Sequence, residues 1–102
     1  MYEIFKTDIY IKWFDKIAKK DRKLAHIIDT RLLRLELDNW GDFKKIDGDL
    51  FEMRIHYGAG IRIYFYKKGD KIIILVTGGD KSSQNKDIEK AKEIIKELNK
   101  GD

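Results

Sequence analysis

Apolar and polar positions follow two different rhythms along this chain, and the changes of rhythm divide it into elements. Residues 2 to 6, YEIFK, alternate weakly and predict a first or edge strand. Ile9, Trp13 and Ile17 then recur at i, i+4 and i+8, with Tyr10, Phe14 and Ala18 beside them. That stripe predicts an amphipathic helix, for which Thr7 or Asp8 supplies the N-cap. KKDRK at 19 to 23 breaks the stripe, and Asp21 suits both the end of this helix and the cap of another. Leu24, Ile27, Ile28, Leu32 and Leu35 restore the period to about Leu37. Two such helices with a short join make a helical hairpin whose apolar side needs a partner surface.

Beyond Leu37 the period shortens to two. Gly41 and Gly48 punctuate, FKKI suits a short strand, and Leu50 opens a clear alternation. Phe51, Met53, Ile55 and Tyr57 share one strand face, while Glu52, Arg54 and His56 share the other. In the next strand Ile61, Ile63 and Phe65 oppose Arg62, Tyr64 and Tyr66. A three-residue loop, Gly58-Ala59-Gly60 with Gly60 left-handed, keeps like faces together. It pairs Ile55 with Ile63, Arg54 with Tyr64, His56 with Arg62 and Glu52 with Tyr66. A two-residue turn at Gly69-Asp70 would set Arg62 against Thr77 and Tyr64 against Leu75. Gly78 and Gly79 are expected to close the sheet. NKDIEKAKEIIKELNK then predicts a last helix with the stripe Ile88, Ala91, Ile95 and Leu98. Ser83 or Asn85 would cap it. The order is β-α-α-β-β-β-β-α, an α+β chain. Its antiparallel β-sheet carries an N-terminal helical hairpin on one face, followed by a C-terminal helix. With 102 residues, one domain spanning 1–102 is expected.

Composition narrows the class. Apolar residues make up 42% and charged residues 39%, a globular balance, and there is no cysteine for disulfide or thiol chemistry. No basic segment followed by an apolar run opens the chain, and Ile72 to Val76 is too short to span a bilayer. A cytoplasmic protein with no membrane association fits this pattern. The net charge of +4 gives a mild bias towards polyanions, informative only where the cations gather.

The second face of the hairpin is where they gather. Arg54, His56, Arg62 and Tyr64 are ordinary solvent-side strand residues on one reading. On the other, arginine offers a planar fork to phosphate, tyrosine a stacking surface, and histidine a proton relay near neutral pH. The set then describes a groove for single-stranded RNA or a phosphodiester. Repulsion between Arg54 and Arg62 invites an anion between them, a role open to Glu52 as well. Glu52 is the only carboxylate expected on this face, so no metal cluster and no cofactor is expected. Lys44 and Lys45 precede these strands and could line an RNA path, as could Tyr66. Tyr57 and Trp13 are expected in the core, Trp40 at the helix-to-sheet junction, and His26 at the surface or in packing. Asp80, Gln84 and Asp87 are expected to fix the turn and cap the last helix.

These residues also carry a resemblance. EMRIHYGAGIRIYF followed by ILVTGGDKSSQNKDIEKAKEI is similar to the RelE/HigB-type toxins called addiction module killer proteins. The match is carried by Glu52, Arg54, Tyr57, Gly58, Gly60, Arg62, Tyr64, Gly78, Gly79, Asp80, Lys81, Gln84, Asp87, Ile88 and Ala91. The run DRKLAHII and the turn WGDFK extend it upstream. The resemblance implies a RelE-like fold and the toxin of a type II toxin–antitoxin system. Its partners would be a cognate antitoxin, commonly of helix-turn-helix type, together with mRNA and the ribosome. The implied activity is metal-independent, ribosome-dependent mRNA cleavage. A ParE-like gyrase inhibitor without nuclease activity, or a non-toxic RNA-binding module, remains the alternative on the same scaffold. Under the nuclease reading Arg62 and Arg54 hold phosphate and transition-state charge, and Lys81 is a phosphate ligand or base. His56 and Tyr64 are relays or stacking surfaces.

Overall fold

The computed structural model describes residues 1–100. The chain runs β1 (Glu3–Lys6), α1 (Asp8–Lys20), α2 (Arg22–Glu36), β2 (Phe43–Asp47), β3 (Leu50–Ile55), β4 (Ile61–Lys68) and β5 (Ile72–Asp80). A 3₁₀ turn (Lys81–Ser83) then leads into α3 (Gln84–Asn99). Its caps are the expected ones at the front. Thr7 Oγ1 accepts the Tyr10 N–H at 3.0 Å and donates to the Val76 carbonyl at 2.7 Å, fastening α1 to β5 as it starts the helix. The Asp21 N–H donates to the Ile17 carbonyl, ending α1, while its Oδ1 accepts the Leu24 N–H and opens α2. At the other end Ser83 holds the N-cap position of α3 without a side-chain cap bond, and Asn85 lies inside the helix.

The five strands are ordered β1-β5-β4-β3-β2. Four are antiparallel neighbours as expected, and β1 makes the sheet mixed by pairing parallel to β5, from Glu3 with Ile72 to Lys6 with Leu75. On one face α1 and α2 cover the apolar alternation. Tyr10, Leu24, Ile28, Leu32 and Leu35 pack with Met53, Ile55, Ile63, Phe65, Ile73 and Leu75. Full burial of each such aliphatic side chain contributes about 1.5–3 kcal/mol. Trp40 seals the junction as expected, its ring edge-on to Phe43, Phe51 and Phe65 at 5.0, 5.0 and 5.3 Å.

The opposite face is not open. The stripe of α3 lies on it, burying Leu50, Tyr64, Val76 and Ala91 in a second core with Ile88 and Ile95 against them. The β3–β4 register also differs from the expected one by two residues. Arg54 faces Arg62, Glu52 faces Tyr64, and Ile55 faces Ile61, so the loop is five residues long, from His56 to Gly60. The Tyr57 N–H donates to the Ile55 carbonyl and the Gly60 N–H to the Tyr57 carbonyl, bonds within the loop that take His56 and Tyr57 out of the ladder. Gly60 is left-handed, with φ +82°. A two-residue slip conserves the faces, which is why the alternation alone did not detect it. Between β4 and β5, Tyr64 pairs with Thr77 and Arg62 with Gly79, with a register shift between Tyr64 and Phe65.

Gly78 and Gly79 continue β5 instead of closing the sheet, and their role is close approach. A Cβ on Gly78 would meet the Trp13 ring of α1 at 2.5 Å, and one on Gly79 would meet the Asp87 carboxylate of α3. Helices on both sides thus touch the backbone of one strand. Gly78→Ala is expected to lower stability by about 1–3 kcal/mol, seen as a lower urea midpoint. In a Trp13→Val background most of that loss should disappear, since the clash partner is gone. Additive losses in the double variant would show that Trp13 is not the constraint.

Candidate functional site

Strand alternation sets Glu52 and Arg54 on the α3 side of β3, and the observed register lays Tyr64 and Arg62 directly beside them on β4. Glu52 is fully buried. Its Oε1 accepts Arg54 Nε at 3.0 Å and lies 3.8 Å from Arg62 Nε. Its Oε2 accepts the Tyr64 hydroxyl at 3.0 Å and Gln84 Nε2 at 2.9 Å. Burial pushes the Glu52 carboxyl up, but the bonds from Gln84, Arg54 and Tyr64 and the Arg54 charge outweigh it. The result lies below the ordinary glutamate value. Glu52 is therefore the counter-charge between the arginines.

One carboxylate does not saturate two guanidiniums. The Nε of Arg62 is buried and without a hydrogen bond, and the Nη groups of Arg54 and Arg62 bond no described residue. The side chains retain 32% (Arg54) and 15% (Arg62) of their exposure, enough to present those Nη groups to an incoming anion. They line a cavity of about 480 Å³ with His56, Tyr57, Gly60 and Lys81. Lys81 is exposed, and its N–H donates to the Gly60 carbonyl at 3.1 Å, tying the 3₁₀ turn to the β3–β4 loop. His56 stands on the rim, 81% exposed, with Nε2 2.6 Å from Asp42 Oδ2. That pairing leaves Nδ1 as the free ring nitrogen.

The cavity thus brings together Arg54, Arg62, His56 and Lys81. Tyr64 is fully buried beneath α3, so it offers no stacking face; desolvation, then the neighbouring Glu52 carboxylate, raises its phenol well above the ordinary tyrosine value. Tyr66 faces Leu50 and packs in the α3 core, outside the cavity. Lys44 and Lys45 separate: Lys44 lies beside Glu52 on the cavity side of the sheet, whereas Lys45 pairs with Phe51 and shares the opposite face. Tyr57 is half-buried against the first core, its hydroxyl donating to Asp21 Oδ2. Trp13 is likewise half-buried, and His26 is exposed.

Three residues gain roles that the alternation did not assign. Gln84 reaches down from the first turn of α3 to Glu52. Asp42 holds His56 through its carboxylate and accepts the Arg54 N–H through its carbonyl at 2.9 Å. Arg31, on α2, donates to the Arg54 carbonyl at 3.0 Å and so braces the strand under the site. Its signal in the sequence is a charge three and four residues after Ile28 and Ile27, on the flank of the α2 stripe.

Residues 12–100 match the family described as Phage derived protein Gp49-like (DUF891). A protein of Haemophilus influenzae, described as uncharacterized, is 38% identical over 96 residues, which is 94% of this chain and 95% of that protein. This chain belongs to the Gp49-like family, a toxin–antitoxin-associated family of RelE-like toxins. Membership implies an antitoxin partner. Among the described residues no helix is long and apolar enough to cross a membrane.

Glu52→Gln removes the shared charge and turns an NH₂ towards hydrogen-bond donors. At neutral pH it is expected to cost about 3 kcal/mol in urea denaturation. Because the carboxyl is held below its unfolded value, its contribution is fully present above pH about 4.3 and is lost as pH falls through the folded value. The gap between wild type and Glu52→Gln should therefore narrow on acidification. A gap constant down to strongly acidic pH would refute the assigned charge state.

Proposed function

We propose that this chain is the toxin of a toxin–antitoxin pair and acts as a metal-independent endoribonuclease on mRNA in the ribosomal A site. The observation that carries the reading is the pair of neighbouring guanidiniums with one buried carboxylate between them and unused Nη donors facing a cavity. Such a pair is built for a phosphate, since fork-shaped donors match its oxygens and a partly dry setting strengthens the attraction.

The reaction needs a base for the RNA 2′-hydroxyl, charge stabilisation at phosphorus and an acid for the leaving 5′-oxygen. In this proposal His56 takes the 2′ proton on Nδ1 while Asp42 holds Nε2. The 2′-oxygen bonds phosphorus, Arg54 and Arg62 neutralise the added charge, and the bond from phosphorus to the 5′-oxygen breaks. Lys81 gives that oxygen its proton. The products are a 2′,3′-cyclic phosphate and a 5′-hydroxyl. Glu52, Tyr64 and Gln84 act through the arginines as positioning residues. The exposed rim at His56 excludes little water by itself, which favours a site completed by ribosomal RNA. An antitoxin of helix-turn-helix type and a cytoplasmic setting complete the proposal.

The test is primer extension on mRNA from programmed ribosomes, with wild type beside Arg62→Ala. Ribosome-dependent cuts by wild type, reduced about 10²-fold or more in the variant, are expected. Intact message with folded, antitoxin-free protein would refute the nuclease. Inhibition of gyrase supercoiling by the same preparation would replace it with the ParE-like reading.

A further inference from the structure

A second and larger cavity, about 590 Å³, runs between α1 and α3 across the end of β5. Its rims are basic on both sides: Lys12 and Lys16 rise from α1, and Lys90 from α3. None of the three has an ion-pair partner among the described residues. Two carboxylates also line the groove, each held by neutral donors. Asp80 accepts from the Ser82 N–H and hydroxyl, and Asp87 from the Ser83 hydroxyl.

Lys12 and Lys16 stand four apart on one helix face, and Lys86 and Lys90 repeat the spacing on α3. Asp8 and Asp15 stand four and three residues from Lys12, and Asp87 and Glu93 three from Lys90, yet among the described residues none of them closes an ion pair with these lysines. Between the rims the floor is the Gly78–Gly79 backbone with the half-buried Trp13 indole beside it. A groove lined with cations that track a backbone is the sequence-independent part of single-strand binding. The groove also meets the guanidinium cavity. Ile61 lines both, and Asp80 in one adjoins Lys81 in the other.

We infer that the α1–α3 groove is a second RNA subsite, in which Lys12, Lys16 and Lys90 take the backbone phosphates of the strand whose scissile phosphate lies at Arg54 and Arg62. The inference rests on the nuclease reading of that cavity. It assigns the groove to a polyanion that continues from one site to the other, which a separate acidic protein segment would not explain.

The test uses labelled oligouridylates blocked by 2′-O-methylation, one a trinucleotide and one of about twelve nucleotides. The proteins are wild type, Arg62→Ala, and the triple variant Lys12→Gln/Lys16→Gln/Lys90→Gln, with folding checked by circular dichroism. The triple variant should bind the long strand at least about 10-fold more weakly, with a salt slope shallower by about 2, and bind the trinucleotide as wild type does. Arg62→Ala should weaken both. Unchanged long-strand affinity and slope in the triple variant, with Arg62→Ala still impaired, would overturn the groove and leave the cavity reading standing. That result together with lost neutralisation by the antitoxin would assign the groove to the antitoxin. Absence of any RNA binding by wild type would overturn the groove, while the assay on programmed ribosomes decides the nuclease reading separately.

Discussion

The buried carboxylate of Glu52 is the interaction on which this architecture turns. A charge without solvent persists only if donors replace water, and here they come from three elements: Arg54 on its own strand, Tyr64 on the next, and Gln84 on α3. The same bonds that keep it ionised fix where the arginine side chains leave the sheet. Rigidity of the candidate site and cohesion between the sheet and its last helix are therefore one set of contacts. The compensation is also incomplete, because Arg62 Nε finds ion-pair range but no hydrogen bond. That imbalance, and not the count of basic residues, gives the cavity its appetite for an anion.

Around this centre the sheet is squeezed from both sides. Thr7 pins α1 to β5 through the Val76 carbonyl, Trp13 lies on Gly78, and Asp87 lies against Gly79. A side chain at Gly78 would push against the Trp13 ring of α1, and one at Gly79 against the Asp87 carboxylate of α3. Both helices therefore depend on the bare backbone at the end of β5 for their close packing.

Much of this was legible because alternation and helical stripes report faces. The helical hairpin, Asp21 as a double cap, FKKI as a strand, and Arg54 and Arg62 on one face all follow from side-chain period. What the period cannot report is a slip of two, so the β3–β4 register depended on loop length, and the loop is held by bonds from Tyr57, Gly60 and the distant Lys81. Nor does a stripe name its target. The apolar face of α3 was visible at Ile88, Ala91 and Ile95, but its resting place over Tyr64 and Tyr66 was not. Hence two tyrosines that read as stacking surfaces lie beneath a helix. Lys44 and Lys45, by contrast, were separable in advance, since neighbours on a strand point to opposite faces.

Gln84 has a bearing on the order in which the molecule is made. Glu52 and its arginines leave the ribosome well before the helix that supplies this donor. Until α3 docks, the carboxylate lacks its Gln84 donor, and until the turn after β5 forms, Gly60 has no Lys81 to bind. The full set of bonds around Glu52 is thus completed only by the last helix of the chain. A chain that stops just short of Gln84 keeps the bonds from Arg54 and Tyr64 to Glu52 and lacks the one that ties this carboxylate to α3.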